Sequence, residues 1–145
     1  MELDTPCIGI CSTVYGDNVC RGCKRFYKEI ISWNSYNDIE KTIVFDRLND
    51  LITQAAHDKI TVIDPELLRQ TLKNFNIRYR AEQSSLCWAY YILRDARHKI
   101  LTTEEAGFVI TESYKNYKLT ELYQTIDKEL LNRAEKEFKI GNSRS

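Results

Sequence analysis

The chain predicts a mostly α-helical fold: a small N-terminal knob held by four cysteines, then about five to six helices packed as a bundle. Three observations lead there. Cys7, Cys11, Cys20 and Cys23 crowd the start of the chain with the spacing Cys-x3-Cys-x8-Cys-x2-Cys. Beyond them, apolar residues recur at helical spacing. Only two prolines and five glycines interrupt the 145 residues, which favours helices with short connections.

The elements follow in order. Residues 5–23 show no helical period, and Val14-Tyr15-Gly16-Asp17-Asn18 has the composition of a turn between the two cysteine pairs. A helix is expected from near Cys23 to about Trp33, with Phe26, Tyr27, Ile30 and Ile31 on its apolar face and Lys24, Arg25 and Lys28 away from it. After the turn Asn34-Ser35-Tyr36-Asn37, Asn37 with Glu40 forms a capping box. It opens a second helix to about His57, with Ile43, Leu48, Leu51, Ile52 and Ala55 inward. Ile60-Thr61-Val62-Ile63 is a β-branched stretch, either an extended segment or a connector. Asp64-Pro65 is an N-cap followed by proline at the first helical position, with Leu68, Thr71, Leu72 and Phe75 as the stripe behind it. The stretch 76–80 ends that helix, and another spans about 82–97. Its run from Leu86 to Leu93 is apolar over so wide an arc that it reads as the centre of the bundle. Thr102 with Glu105 signals a helix to about Tyr114, weakened by Gly107. Leu119, Leu122, Tyr123, Ile126, Leu130, Ala134 and Phe138 mark the last one. The resulting organisation is a cysteine-rich module with two helices over 1–57, a helical extension packed on it over 58–140, and a frayed tail over 141–145.

Composition narrows the function classes. With 43% hydrophobic and 29% charged residues the chain is globular in type rather than disordered. Its 21 basic and 21 acidic residues cancel, which argues against a dominant nucleic-acid-binding role. The opening Met1-Glu2-Leu3-Asp4-Thr5-Pro6 has no signal-peptide character, and no apolar run is long enough to cross a bilayer, so the expected address is the cytoplasm with no membrane partner.

In a reducing compartment, clustered cysteines read as metal ligands or redox thiols rather than disulfides. Two short pairs separated by a turn can present four thiolates to one tetrahedral zinc about 2.3 Å from each sulfur. An iron–sulfur cluster takes the same four ligands with looser spacing rules. Spacing leans toward zinc and leaves the cluster open. A four-thiolate site has no free coordination position, so the metal would be structural, replacing a core that so short a segment cannot form.

Thr5-Pro6-Cys7-Ile8, Cys11, Cys20-Arg21-Gly22-Cys23, Arg25, Glu29-Ile30 and Trp33 together resemble the YdhL-like family of small bacterial proteins. That family is described only as predicted iron–sulfur proteins under a domain of unknown function. The resemblance covers roughly residues 5–50 and implies Cys7, Cys11, Cys20 and Cys23 as ligands. Pro6 would then fix the approach to Cys7, and Trp33 would pack the knob onto the second helix. Arg25 and Glu29, four apart, would pair on the helix surface.

Arg21, Lys24, Arg25, Lys28 and Tyr36 form a basic and aromatic patch, a candidate contact for a partner or single-stranded RNA. Zero net charge favours a solvated helix face instead. Arg78, Arg80, Arg94 and Arg97 could extend a basic surface. His57 and His98 are isolated, and Cys87 between Leu86 and Trp88 reads as a buried small hydrophobe. Tyr90, Tyr91, Tyr114, Tyr117 and Tyr123 suit either a partner groove or bundle packing. No phosphate loop, nucleophile elbow, zinc-protease motif or acid pair is present, so catalysis has no support in the sequence. The expectation is a metal-binding interaction or adaptor protein whose partner is another protein. The alternatives are an iron–sulfur electron-transfer or redox-sensing protein, and a zinc-knuckle RNA-binding protein.

Overall fold

The computed structural model describes residues 3–9 and 11–143. The chain divides into two compact units, Asp4–Leu51 with the segment from Lys128 onward, and Ile52–Asp127 with Leu3. The five α-helices among the described residues are α1 (Tyr27–Ser32), α2 (Asp38–Ala56), α3 (Pro65–Asn74), α4 (Ser85–Ala96) and α5 (Leu119–Ser143). Two short strands, β1 (Ile60–Val62) and β2 (Phe108–Ile110), complete the regular structure apart from single 3-10 turns. Among the described residues no helix is long and apolar enough to cross a membrane.

In the cysteine-bearing unit, Ser12–Tyr15 form a 3-10 turn closed by Gly16 at φ 101°, a conformation glycine adopts without cost. The chain then makes a tight hairpin. Val19 and Phe26 bridge antiparallel, the Cys20 N–H donates to the Arg25 carbonyl at 3.0 Å, and the Lys24 N–H donates to the Cys20 carbonyl at 2.8 Å. This hairpin displaces the start of the expected helix from Cys23 to Tyr27. Lys24 lies at φ 67°, and a left-handed residue cannot propagate a right-handed helix. The faces shift as well. Lys24 and Arg25 are buried, whereas Tyr27 and Ile31 are exposed. Trp33 is buried and meets Phe45 of α2 edge-on at 5.7 Å, the packing its position in the sequence implies.

The capping box that opens α2 is present in both directions. Asn37 N–H donates to Glu40 Oε1 at 3.1 Å, and Glu40 N–H to Asn37 Oδ1 at 2.8 Å. Val44, Phe45, Leu48 and Leu51 are buried in this unit; Ile43, expected inward, is 63% exposed. The C-terminal half of α5 adds Leu130 and Ala134 to the core, and Phe138 meets Phe26 edge-on at 5.3 Å. That helix runs through Ser143 into the expected tail, while Arg144 and Ser145 lie outside the described residues.

The second unit is built on apolar burial. Asp64 accepts from the Leu67 N–H at 3.2 Å and Pro65 opens α3, as the sequence predicts. Ser84 caps α4 by accepting from the Cys87 N–H at 3.1 Å, which starts that helix slightly later than expected. Leu68, Ala89, Ile92, Leu93, Phe108, Leu122 and Ile126 are all fully buried, and α4 carries buried side chains at every position from Cys87 to Leu93. Its central position matches its all-round apolar character.

One expected element is absent. Thr102 and Glu105 do form their reciprocal bonds, at 3.3 and 3.4 Å, but they close a single 3-10 turn, Glu104–Ala106. Gly107 ends it at φ 102° with its backbone so close to Asp64 that an added Cβ would lie 2.5 Å from that carbonyl oxygen. Phe108–Ile110 then pairs antiparallel with β1 in the register Ile60↔Ile110, Thr61↔Val109, Val62↔Phe108. A β-branched run with a strand partner gains ladder hydrogen bonds that a helix broken by glycine would not.

Candidate metal centre

Cys20 sits at the base of the hairpin, 1% exposed. Burial pushes its thiol pKa up, but hydrogen bonding from the backbone of Cys23, Ser12 and Gly22 and from the Cys23 thiol outweighs burial and leaves it below the ordinary value. Cys23, beside it, is pushed the other way: burial dominates, against a lowering influence of Arg25. The two sulfurs of Cys20-Arg21-Gly22-Cys23 are therefore neighbours, with the first prepared to carry negative charge.

The other two cysteines share one local feature with this pair. The Gly9 N–H donates to Cys7 Sγ at 3.4 Å, and Cys11 Sγ lies 3.0 Å from Thr13 Oγ1. Arg25 Nε donates to Cys23 Sγ at 3.3 Å, and the Gly22 backbone donates to Cys20. Each of the four sulfurs thus has a hydrogen-bond partner two residues downstream. The two cysteine segments are tied together where Ser12 Oγ accepts from the Arg21 N–H at 2.8 Å.

The soft donor set and its hydrogen bonds suit a thiolate-bound metal. Assembly is incomplete: among the described residues no three histidine, cysteine or carboxylate side chains are grouped closely enough to hold a metal ion. The expected four-cysteine knob is thus not assembled: Cys20 and Cys23 are adjacent, while Cys7 is exposed and Cys11 half-buried on the adjoining stretch of chain.

Around that half, Arg25 is 4% exposed and its guanidinium lies over the Trp33 ring, 4.9 Å from the centroid. It does not pair with Glu29. Glu29 instead accepts from the Phe26 N–H at 2.8 Å and takes a two-pronged contact from Arg47, at 2.5 and 2.8 Å. The reason is that Arg25 precedes the shortened α1, so the two residues are not on one helix face. Lys24 is 1% exposed, and its ammonium donates to the carbonyls of Gly22, at 3.0 Å, and Arg21.

Of the candidate contact residues, Arg21 and Lys28 are exposed, Tyr36 is half-buried against Trp33 at 6.1 Å, and Lys24 and Arg25 face inward. In the other unit, Arg78 lines an open cleft of about 580 Å³ with Lys73 and Tyr79. Arg94 and Arg97 instead lie over tyrosine rings, 4.7 Å from Tyr91 and from Tyr123 respectively. Tyr90 and Tyr91 are core residues, and Tyr90 Oη donates to Asp127 Oδ1 at 2.7 Å. Cys87 is fully buried and its thiol is pushed up to about 12 by that burial. Sequence reasoning missed Gly9, Ser12 and Thr13 as partners of the cysteine loop. Their signal was the repeated occurrence of a small polar residue or glycine one or two positions after each of the first two cysteines.

No curated protein and no solved structure matches this chain. Residues 5–51, which contain all four N-terminal cysteines, α1 and most of α2, match the model of an uncharacterised family, described as a protein of unknown function (DUF1289).

Proposed function

We propose that Cys7, Cys11, Cys20 and Cys23 hold one structural metal centre, and that the protein acts as an interaction or adaptor module in the cytoplasm. The observation that carries this reading is the shared hydrogen-bond partner two residues beyond each sulfur. Such donors stabilise thiolates, which are the ligand form of cysteine. Closing the exposed Cys7 arm onto the Cys20–Cys23 half would complete the four-ligand set, since metal binding and local folding are coupled in small sites of this kind. Zinc is the metal favoured by spacing. It would supply cross-linking, not chemistry, because four thiolates fill its coordination shell.

The second reading is an iron–sulfur cluster for electron transfer or redox sensing at the same cysteines. The N–H and guanidinium donors to sulfur favour it, because such hydrogen bonds are a principal means of setting cluster potential. An RNA-binding reading would rest on Arg21 and Lys28, the exposed cations of the patch. Anaerobic purification with elemental analysis separates these. One zinc per chain in a colourless protein supports the structural site. Iron with sulfide and visible absorption that bleaches on reduction supports the cluster. Absence of any stoichiometric metal defeats both.

A further inference from the structure

Helix α2 presents two chemically different faces. Its inner side carries Val44, Phe45, Leu48 and Leu51. Its two cations are also withdrawn from the outer surface: Lys41 Nζ lies over the Trp33 ring at 5.6 Å, and the Arg47 guanidinium over the Phe26 ring at 4.0 Å while gripping Glu29. The opposite side bears Ile39, 72% exposed, and Ile43, 63% exposed, followed by the exposed Asp46 and Asp50. These four residues recur at i, i+4, i+7 and i+11, so they form one continuous stripe along the helix. Asp38 and Thr42 flank it, also exposed. The outer face is therefore apolar at its N-terminal end and acidic toward its C-terminal end, with no exposed cation on the helix to balance it.

We propose that this stripe docks a basic amphipathic helix of a partner protein. Ile39 and Ile43 would enter its apolar face, and Asp46 and Asp50 would meet its lysines or arginines. Charge complementarity selects this occupant: an anionic partner such as RNA is repelled by the same aspartates. Two β-branched side chains four residues apart give the apolar anchor that helix-on-helix recognition uses. The inference takes up the docking role proposed above and is independent of the metal.

The test uses the full chain and two fluorescein-labelled synthetic peptides. One repeats leucine at i, i+3, i+4 and i+7 with lysine elsewhere; the other replaces every lysine by glutamate. Anisotropy titrations at low and high salt are expected to show saturable binding of the lysine peptide and none of the glutamate peptide. The Ile39→Asp, Ile43→Asp double variant should weaken binding by about tenfold or more, the scale of losing a buried anchor. Asp46→Lys with Asp50→Lys should weaken it and flatten its salt dependence. Leu101→Asp, an exposed apolar position in the other unit, should leave it unchanged. Circular dichroism checks that each variant keeps its helices. Equal binding by the isoleucine or aspartate variants, or binding of the glutamate peptide, overturns the proposal. So does a wild-type dimer in sedimentation equilibrium that Ile43→Asp converts to monomer, since the occupant is then a second copy. Retention of single-stranded RNA that Ile43→Asp removes also overturns it. Failure to find metal by elemental analysis leaves this assay untouched, so the two readings fail separately.

Discussion

The cysteine loop and the helical unit of Ile52–Asp127 are held together by different physics. In the helical unit, Leu68, Ile92, Leu93, Phe108, Leu122 and Ile126 are wholly buried, and each such side chain contributes about 1.5–3 kcal/mol through the hydrophobic effect. Between Asp4 and Cys23, Pro6, Val19 and Cys20 are the only buried residues among those described. Its cohesion comes from hydrogen bonds to sulfur, the Ser12–Arg21 link and the short hairpin. A net hydrogen bond is worth only about 1 kcal/mol, so a segment built this way would gain more from a cross-link than the helical unit would. The difference teaches that one chain can combine a self-sufficient core with a segment whose order, on the proposed reading, would depend on bound metal.

The largest expected effect tests that dependence. Replacing Cys20 by serine should abolish stoichiometric metal and leave amides of 5–23 unprotected in hydrogen exchange, while far-ultraviolet circular dichroism stays helical. Unfolding of the entire chain would show that the two regions are not energetically separate. Gly107→Ala should strike only the helical unit. It forces a side chain into a left-handed position 2.5 Å from the Asp64 carbonyl oxygen, so thermal denaturation should show a loss on the order of 3 kcal/mol.

Alkaline pH sharpens the comparison. Burial raises the pKa of Cys87 to about 12 and those of Tyr90 and Tyr91 well above the ordinary tyrosine value. The folded state thus retains protons that the unfolded chain releases. Stability of the helical unit is full below the unfolded cysteine pKa, and should fall as pH rises above it by roughly 1.4 kcal/mol per pH unit for Cys87 alone. Tyrosine ionisation steepens the fall beyond pH of about 10. Cys20 has the opposite sign. Its lowered folded pKa favours the metal-free loop at higher pH, a contribution lost as pH drops through that value. Urea titrations between pH 7 and 11, with Cys87→Ala as the comparison, should show a shallower first decline in the variant. The smallest effect is at the capping box: Asn37→Ala should cost about 1 kcal/mol in thermal denaturation, without altering metal content.

Legibility in the sequence followed the range of the interactions concerned. The Asn37–Glu40 box, the Asp64–Pro65 start and the stripe of α5 all rest on contacts within four residues, and all are found where the sequence places them. The strand β2 was not legible. Thr102 and Glu105 do cap a turn, but whether Phe108–Ile110 continues as helix or strand depends on β1, some fifty residues away. The candidate site divided in the same way. The four cysteines are plain in their spacing, as is the packing role of Trp33. The inward turn of Lys24 and Arg25 was hidden, because it follows from a hairpin whose closure requires Val19 to find Phe26.

Composition and local pattern by themselves determined the helical class, the starts of α2 and α3 and the cluster of thiols in the sequence, since caps and 3.6-residue periodicity act over one or two turns. Tertiary structure alone decided which sulfurs are neighbours, which cations are buried over aromatic rings, and that Ile43 faces solvent. Those outcomes depend on which surfaces meet across the fold, and residues remote in sequence settle that through burial and hydrogen bonding.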